Sequence, residues 1–195
     1  METDHHILER VKKGDRQAFS NLVLKHQKAL LRIVLRMTGE TTLAEDVVQE
    51  AFMKAFEKLD TFEGRSSFKS WLFQIGVNTA RNKLRSRRDP HVDIDKVDVS
   101  VAHHQELDLA RIDLRTLIQT EVNKLPLKQK TALSLRIYED LSFAEIADIM
   151  ECPYDTAKAN YRHALIKLKN KLGDSMNLKL WKEIKNGKEA VGVDL

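Results

Sequence analysis

Residues 142–168 read SFAEIADIMECPYDTAKANYRHALIKL. Two short helices with a break at Glu151-Cys152-Pro153 are expected here, because proline cannot continue a helix and favours the first turn of the next. Ser142-Phe143-Ala144-Glu145 has the spacing of a capping box at the start of the first helix. That helix turns Ile146, Ala147, Ile149 and Met150 inward, and Ala147 is small enough to let two helices approach closely. In the second helix Ala157, Tyr161, Ala164, Leu165, Leu168 and Leu172 share one face. The opposite arc holds Asp155, Thr156, Ala159, Asn160, His163 and Lys167, flanked by Lys158, Arg162 and Lys169. Small and hydrogen-bonding residues therefore come first and cations follow. That order suits a recognition helix, whose N-terminal turns reach base edges while its cations reach phosphate. An ordinary surface helix can show the same pattern, so the rest of the chain has to decide.

The chain has 195 residues, 42% hydrophobic and 32% charged, with 7 glycines, 3 prolines and a net charge of +4. Scarce glycine and proline favour helices, and the composition is that of a globular chain rather than a disordered one. The single cysteine, Cys152, excludes an internal disulfide and a cysteine-based zinc site. No apolar run approaches membrane length and the polar start METDHH is not a signal sequence. A cytoplasmic protein with no stable membrane association of its own and no cofactor is expected.

Helical periodicity predicts four helices in the first half. A short one over residues 7–13 stops at Gly14. The next follows Asp15 as N-cap and ends near Gly39. The third starts at a capping box, Thr42-Leu43-Ala44-Glu45, and reaches about Leu59. The fourth spans residues 67–87. Residues 89–108 carry six acids against Lys96 and no helical period, which reads as a linker. Helices resume over residues 105–124 and 127–138, followed by the opening pair. A lysine-rich tail follows Gly173, with a helix expected over residues 177–185. The expected fold is all-α: a helical domain over residues 1–88, an acidic linker over 89–108, a helix-turn-helix domain over 109–173 and a tail over 174–195.

The fourth helix is apolar on two sides. Phe68, Leu72, Ile75 and Thr79 form one side, and Phe73, Val77, Ala80 and Leu84 the other. Between them runs a stripe of Gln74, Asn78, Arg81, Arg85 and Arg88. From Arg65 to Arg88 there are seven bases and no acid. This is either a solvated basic face or a nucleic-acid track, with arginines on phosphates and Asn78, Asn82 and Gln74 at bases. The small polar loop at residues 62–67 could receive an unstacked base, with Phe68, Trp71 and Phe73 nearby. The third helix sets a broad apolar face against Asp46, Gln49, Glu50, Met53 and Glu57. Asp46 and Glu50 lie one turn apart and could hold a divalent metal, but a catalytic metal needs three or more ligands. An acidic docking face for a basic helical partner is the preferred reading. His103-His104 could suggest metal sensing, but such pairs in polar linkers are usually solvated.

AEDVVQEAFMKAF (residues 44–56), FKSWLFQIGVNTARNKLR (68–85) and the stretch from LPLKQK to KNKL (125–172), in this order, resemble the extracytoplasmic-function group of bacterial sigma-70-type RNA polymerase sigma factors. The resemblance covers residues 7–172. It implies a non-catalytic, two-domain initiation factor whose partners are core RNA polymerase and promoter DNA, and it leaves an anti-sigma factor open. Asp46, Gln49, Glu50 and Met53 would then dock on the polymerase clamp helices. Arg65, Ser66, Ser67, Lys69, Asn78, Arg81, Asn82 and Arg85 would melt and hold the minus-ten element. Thr156, Lys158, Ala159, Asn160, Arg162, His163 and Lys167 would read the minus-thirty-five element from the major groove, in a domain that also binds the polymerase flap. The family usually opens its recognition helix with Gly-Thr-Val, where this chain has Asp155-Thr156-Ala157. The alternatives are a stand-alone helix-turn-helix regulator and a helical metal-dependent phosphohydrolase using Asp46 and Glu50. Co-elution with core polymerase, DNA binding without it, or Mg²⁺-dependent nucleotide turnover separates the three.

Overall fold

The computed structural model describes residues 2–87 and 109–172, with side chains of the second stretch from residue 116. The acidic linker, His103-His104, Arg88 and the tail lie outside the described residues. All regular elements among the described residues are helical, and they fall into two compact units that divide between the fourth and fifth helices.

The first unit begins with α1 (Asp4–Lys12), capped by the Thr3 side chain. Past its C-cap residue Lys13 the chain turns at Gly14, whose φ of +102° is open to glycine at little cost. Asp15 accepts a hydrogen bond from the Ala18 backbone, but it caps a 3-10 turn (Arg16–Ala18) rather than the long helix itself. α2 (Phe19–Thr38) follows directly and ends on Gly39 in the left-handed region. α3 (Thr41–Glu57) then starts at once, with Glu40 as its N-cap residue and no side-chain cap. The expected capping box at Thr42 and Glu45 therefore does not form. Only Gly39 and Glu40 separate the two helices, so Thr42 is already inside α3. α4 (Phe68–Ser86) is capped as expected by Ser67, whose Oγ accepts from the Ser70 backbone at 3.0 Å.

Periodicity explains the packing of this unit. α2 buries Leu22, His26, Leu30, Ile33, Val34 and Met37, three and four residues apart. α3 buries Ala44, Ala51 and Ala55 completely, and these small side chains bring its neighbours close. α4 meets α2 at Gly76, where an added Cβ would stand 2.7 Å from Leu30 Cδ1. The aromatics near the start of α4 divide. Phe68 and Phe73 are core, while Trp71 is half-buried and stacks near Phe62, with centroids 5.0 Å apart.

Asp4 of α1 pins α2 through two residues. Its carboxylate lies 2.9 Å from His26 Nε2 and 2.7 Å from Lys25 Nζ. Burial holds the His26 imidazole below its ordinary pKa, against the opposing pull of Asp4. The folded unit thus resists a proton that the unfolded chain accepts near pH 6.5. Stability from this group is present above that pH and is lost as pH falls through the lower folded value. The urea midpoint of the first unit, followed by amide exchange in α1 and α2, should fall between pH 7.5 and 5.5. The fall should be smaller in His26→Gln, and an equal fall in both proteins would place the acid sensitivity elsewhere.

The second unit contains α5 (Leu109–Asn123), α6 (Leu127–Tyr138), α7 (Phe143–Met150) and α8 (Tyr154–Leu172). Its core gathers Val122, Leu125, Leu133, Ile137, Ala164, Leu168 and Leu172. Lys130, 3% exposed, donates to the Asn123 carbonyl at 3.0 Å, and so ties the end of α5 to α6. At the start of α7 the expected capping box is complete. The Ser142 N–H donates to Glu145 Oε2 at 2.8 Å, and the Glu145 N–H donates to Ser142 Oγ at 3.2 Å.

Candidate nucleic-acid interface

The turn between α7 and α8 is a Schellman cap. The Cys152 N–H donates to the Ala147 carbonyl at 3.0 Å and the Glu151 N–H to the Asp148 carbonyl at 3.2 Å. Glu151 takes the left-handed position, with φ of 51°, where glycine is the usual occupant. Ala147 is buried, as close helix approach requires. The Phe143 ring packs edge-on against Tyr161 of α8, with centroids 5.4 Å apart. From α6, Arg136 lies over the Phe143 ring, 5.4 Å from its centroid. Residues 143–172 thus form a helix-turn-helix with α8 as the second helix.

α8 buries Ala157, Ala164, Leu168 and Leu172, as its pattern predicts. Thr156, Lys158, Arg162, His163 and Lys167 are exposed, while Ala159 and Asn160 are half-buried. The Asn160 carboxamide is not idle: its Nδ2 donates to the Thr156 carbonyl at 2.9 Å, one turn back. Pairing with a base requires that side chain to swing off its own helix. Sequence reasoning missed Ile166, which is 45% exposed. Its signal was available, since it follows Ala159 by seven residues and so shares its face.

On the first unit, the loop at residues 62–67 is anchored at one end by buried Phe62 and exposes Arg65, Ser66 and Ser67. Gly64, at φ of +75°, makes its turn. Arg65 Nε pairs with Glu63 at 2.5 Å and Lys69 Nζ lies 5.4 Å from the Phe73 ring centroid. Along α4, Asn78 and Arg81 are half-buried and hydrogen-bonded to each other at 2.5 Å, and Asn82 and Arg85 are exposed. Of the stripe expected from the helical wheel, Gln74, Asn78 and Arg81 are half-buried and Arg85 is exposed, while Arg88 lies outside the described residues. The bases beside it are partly spoken for: Arg87 pairs with Glu40 at 2.6 Å, and Lys83 pairs with Glu50 at 3.0 Å.

That last pair divides the expected docking stripe of α3. Asp46, Gln49 and Met53 are exposed, Met53 by 64%. Glu50 instead turns toward α4. It holds Lys54 at 2.5 Å and Lys83 at 3.0 Å. Hydrogen bonds from Lys54, then Lys83, keep its carboxyl below the usual carboxylate range. Its i,i+4 pairing with Lys54 was legible in the sequence. The contact with Lys83 needed the packing of α3 on α4. Among the described residues no group of three or more His, Cys, Asp or Glu stands together to hold a metal ion, and no helix is long and apolar enough to cross a membrane.

Comparison with known proteins matches both units. Residues 22–89 match sigma-70 region 2 and residues 115–168 match sigma-70 region 4. The RNA polymerase sigma-H factor of Pseudomonas aeruginosa is 37% identical over 169 residues, spanning 81% of this chain and 88% of that protein. The ECF RNA polymerase sigma-E factor of Escherichia coli K12 is 36% identical over 182 residues, 87% of this chain and 94% of the relative. Among solved structures, CnrH in complex with the cytosolic domain of CnrY aligns with TM-score 0.65 at 25% identity, covering 87% of this chain and 96% of that one. The sigma factor RpoE of Bartonella quintana, in complex with the anti-sigma factor NepR, aligns with TM-score 0.61 at 29% identity, covering 79% and 96%. With a region 2 match on one helical unit, a region 4 match on a helix-turn-helix unit, and relatives above 30% identity along most of its length, the chain belongs to the extracytoplasmic-function group of sigma-70-type RNA polymerase sigma factors.

Proposed function

We propose that this chain assembles with core RNA polymerase as its promoter-specificity subunit and carries out no catalysis of its own. The observation that carries this reading is the order of the two matched regions, each on its own compact unit. Asp46, Gln49 and Met53 dock on the polymerase clamp through an exposed face of α3. The loop at residues 62–67, with Lys69, Asn78, Arg81, Asn82 and Arg85, holds the unpaired minus-ten strand. α8 enters the major groove at the minus-thirty-five element, with Thr156, Ala159, Asn160 and His163 toward bases and Lys158, Arg162 and Lys167 toward phosphate. Its exposed small residues and flanking cations support that orientation. The site of action is the cytoplasm, where polymerase and promoter meet. An anti-sigma factor is a further partner, because RpoE of Bartonella quintana was solved with one.

The test is reconstitution with core polymerase and selection from a library randomised over both promoter elements. The wild-type chain should co-elute with core and enrich two spaced elements. Asn160→Ala should relax preference at one upstream position, by about 1–3 kcal/mol if a bidentate adenine contact is lost. Selection of DNA by the chain alone, without core, would favour a stand-alone regulator. Identical upstream preferences for both proteins would remove Asn160 from the reading face.

A further inference from the structure

The exposed loop at residues 62–67 is tied to α1 at both of its ends. The backbone of Glu63, Gly64, Arg65 and Ser66 makes no hydrogen bond to other backbone among the described residues. The place of the loop is therefore set where it begins and where it stops. It begins at Phe62, whose N–H donates to the Leu59 carbonyl at 3.0 Å. The Phe62 carbonyl accepts from Lys12 Nζ, in the last turn of α1, at 3.2 Å. Donor and acceptor lie 50 positions apart in the chain. An ammonium donor makes this bond stronger than one between neutral groups. At its other end the loop runs into Phe68, which is 2% exposed. The buried His26 ring packs against Phe68, with centroids 5.7 Å apart, and Asp4, in the first turn of α1, lies 2.9 Å from His26 Nε2. The first and last turns of α1 thus reach the two phenylalanines that bracket the loop. One contact runs through a backbone carbonyl and the other through an imidazole. α1 is itself fixed in the unit by Ile7, Leu8 and Val11, all buried, whereas Lys12 is exposed.

We propose that α1 is a clasp that sets the loop at residues 62–67 for promoter opening, and that Lys12 is a positioning residue that touches no DNA and acts through the Phe62 carbonyl. The proposal rests on the assignment of this loop to the unpaired minus-ten strand. A loop already ordered when the strand arrives captures it without the entropic cost of ordering at that moment. The clasp acts on opening and leaves assembly alone, because docking on core uses the outer face of another helix, α3.

The test uses holoenzyme reconstituted from the full chain and core polymerase, on a promoter enriched by the wild-type protein. Lys12→Ala should slow opening, read by permanganate at saturating holoenzyme, by about 2- to 10-fold, the range that one net hydrogen bond spans. Assembly with core should stay as in wild type. Lys12→Arg keeps a cationic donor of similar reach and should restore most of the rate. In the free full chain, the amide resonances of Gly64, Arg65 and Ser66 should move in Lys12→Ala and return toward wild type in Lys12→Arg. The salt dependence of promoter binding by the holoenzyme should be unchanged in Lys12→Ala. A slope lower by about 0.7 to 0.9 would instead make Lys12 a phosphate contact and overturn the proposal. Equal losses of assembly and opening in Lys12→Ala overturn it too, as does a loss that Lys12→Arg fails to repair. If Arg65→Ala and Ser66→Ala slow opening while Lys12→Ala opens at the wild-type rate, the clasp fails and the assignment of the loop stands. If the Arg65→Ala, Ser66→Ala double variant opens promoters at the wild-type rate, the assignment of the loop fails and the clasp fails with it.

Discussion

Asp46→Lys should weaken assembly with core polymerase by about 2–3 kcal/mol, or roughly 30- to 150-fold in affinity. Asp46 is exposed on α3 beside exposed Gln49 and Met53. Reversing its charge leaves the core of the first unit untouched. At a docked contact with a basic helix, the new lysine meets like charge where water no longer screens it. The structure makes Asp46 a cleaner test than Glu50. Glu50→Lys would set a third ammonium group beside Lys54 and Lys83, so a loss of assembly could come from a disturbed α3–α4 packing. Gel filtration of Asp46→Lys with core, alongside amide spectra showing an intact fold, decides the matter. Wild-type assembly by Asp46→Lys would remove α3's outer face from the docking surface.

Phe68→Ala should cost the first unit about 3–5 kcal/mol, the range for emptying a buried aromatic site. Phe68 is 2% exposed and is the hub of the aromatic cluster. Its ring centroid lies 6.4 Å from Phe19, 6.1 Å from Phe62, 5.9 Å from Trp71 and 5.7 Å from His26. Phe62 and Phe68 flank the exposed loop at residues 62–67. Removing the hub therefore loosens the loop as well as the core. Promoter opening, read by permanganate reactivity of unpaired thymines, should fall further than core binding does. Phe68→Leu keeps most of the volume and should retain much of both. A loss below about 1 kcal/mol in Phe68→Ala would show that the site can collapse, and that Phe62 and Trp71 hold the loop without it.

Most of the helices and their buried faces could be read directly. The stripes of α2, α4 and α8 repeat every three to four residues, and such a repeat has one helical solution. Local chemistry was legible where the bond is local. Ser67 caps α4, and Ser142 and Glu145 close a capping box, because both partners lie within one turn. The same signature at Thr42 and Glu45 failed for a reason outside the motif. Gly39 turns the chain so sharply that α3 has already begun at Thr41.

The outer faces were less fully determined. An exposed position on a helical wheel says that a side chain leaves its own helix, and nothing about what it meets. Asp46 and Glu50 look equivalent in the sequence, one turn apart on the acidic side of α3. Packing of α4 beside that side separates them, because Lys83 reaches Glu50. Asn160 is a base reader by type, but its amide is bonded to the Thr156 carbonyl, a competition that side-chain identity does not reveal. The sequence by itself determined the all-helical class, the helix-turn-helix and the family, since these rest on local periodicity and on the order of motifs. Only the tertiary structure decided which charges remain for a partner and which are consumed within the fold. An ion pair between helices depends on the distance and angle at which two helices pack, and residues 33 positions apart, such as Glu50 and Lys83, carry no local signal of it.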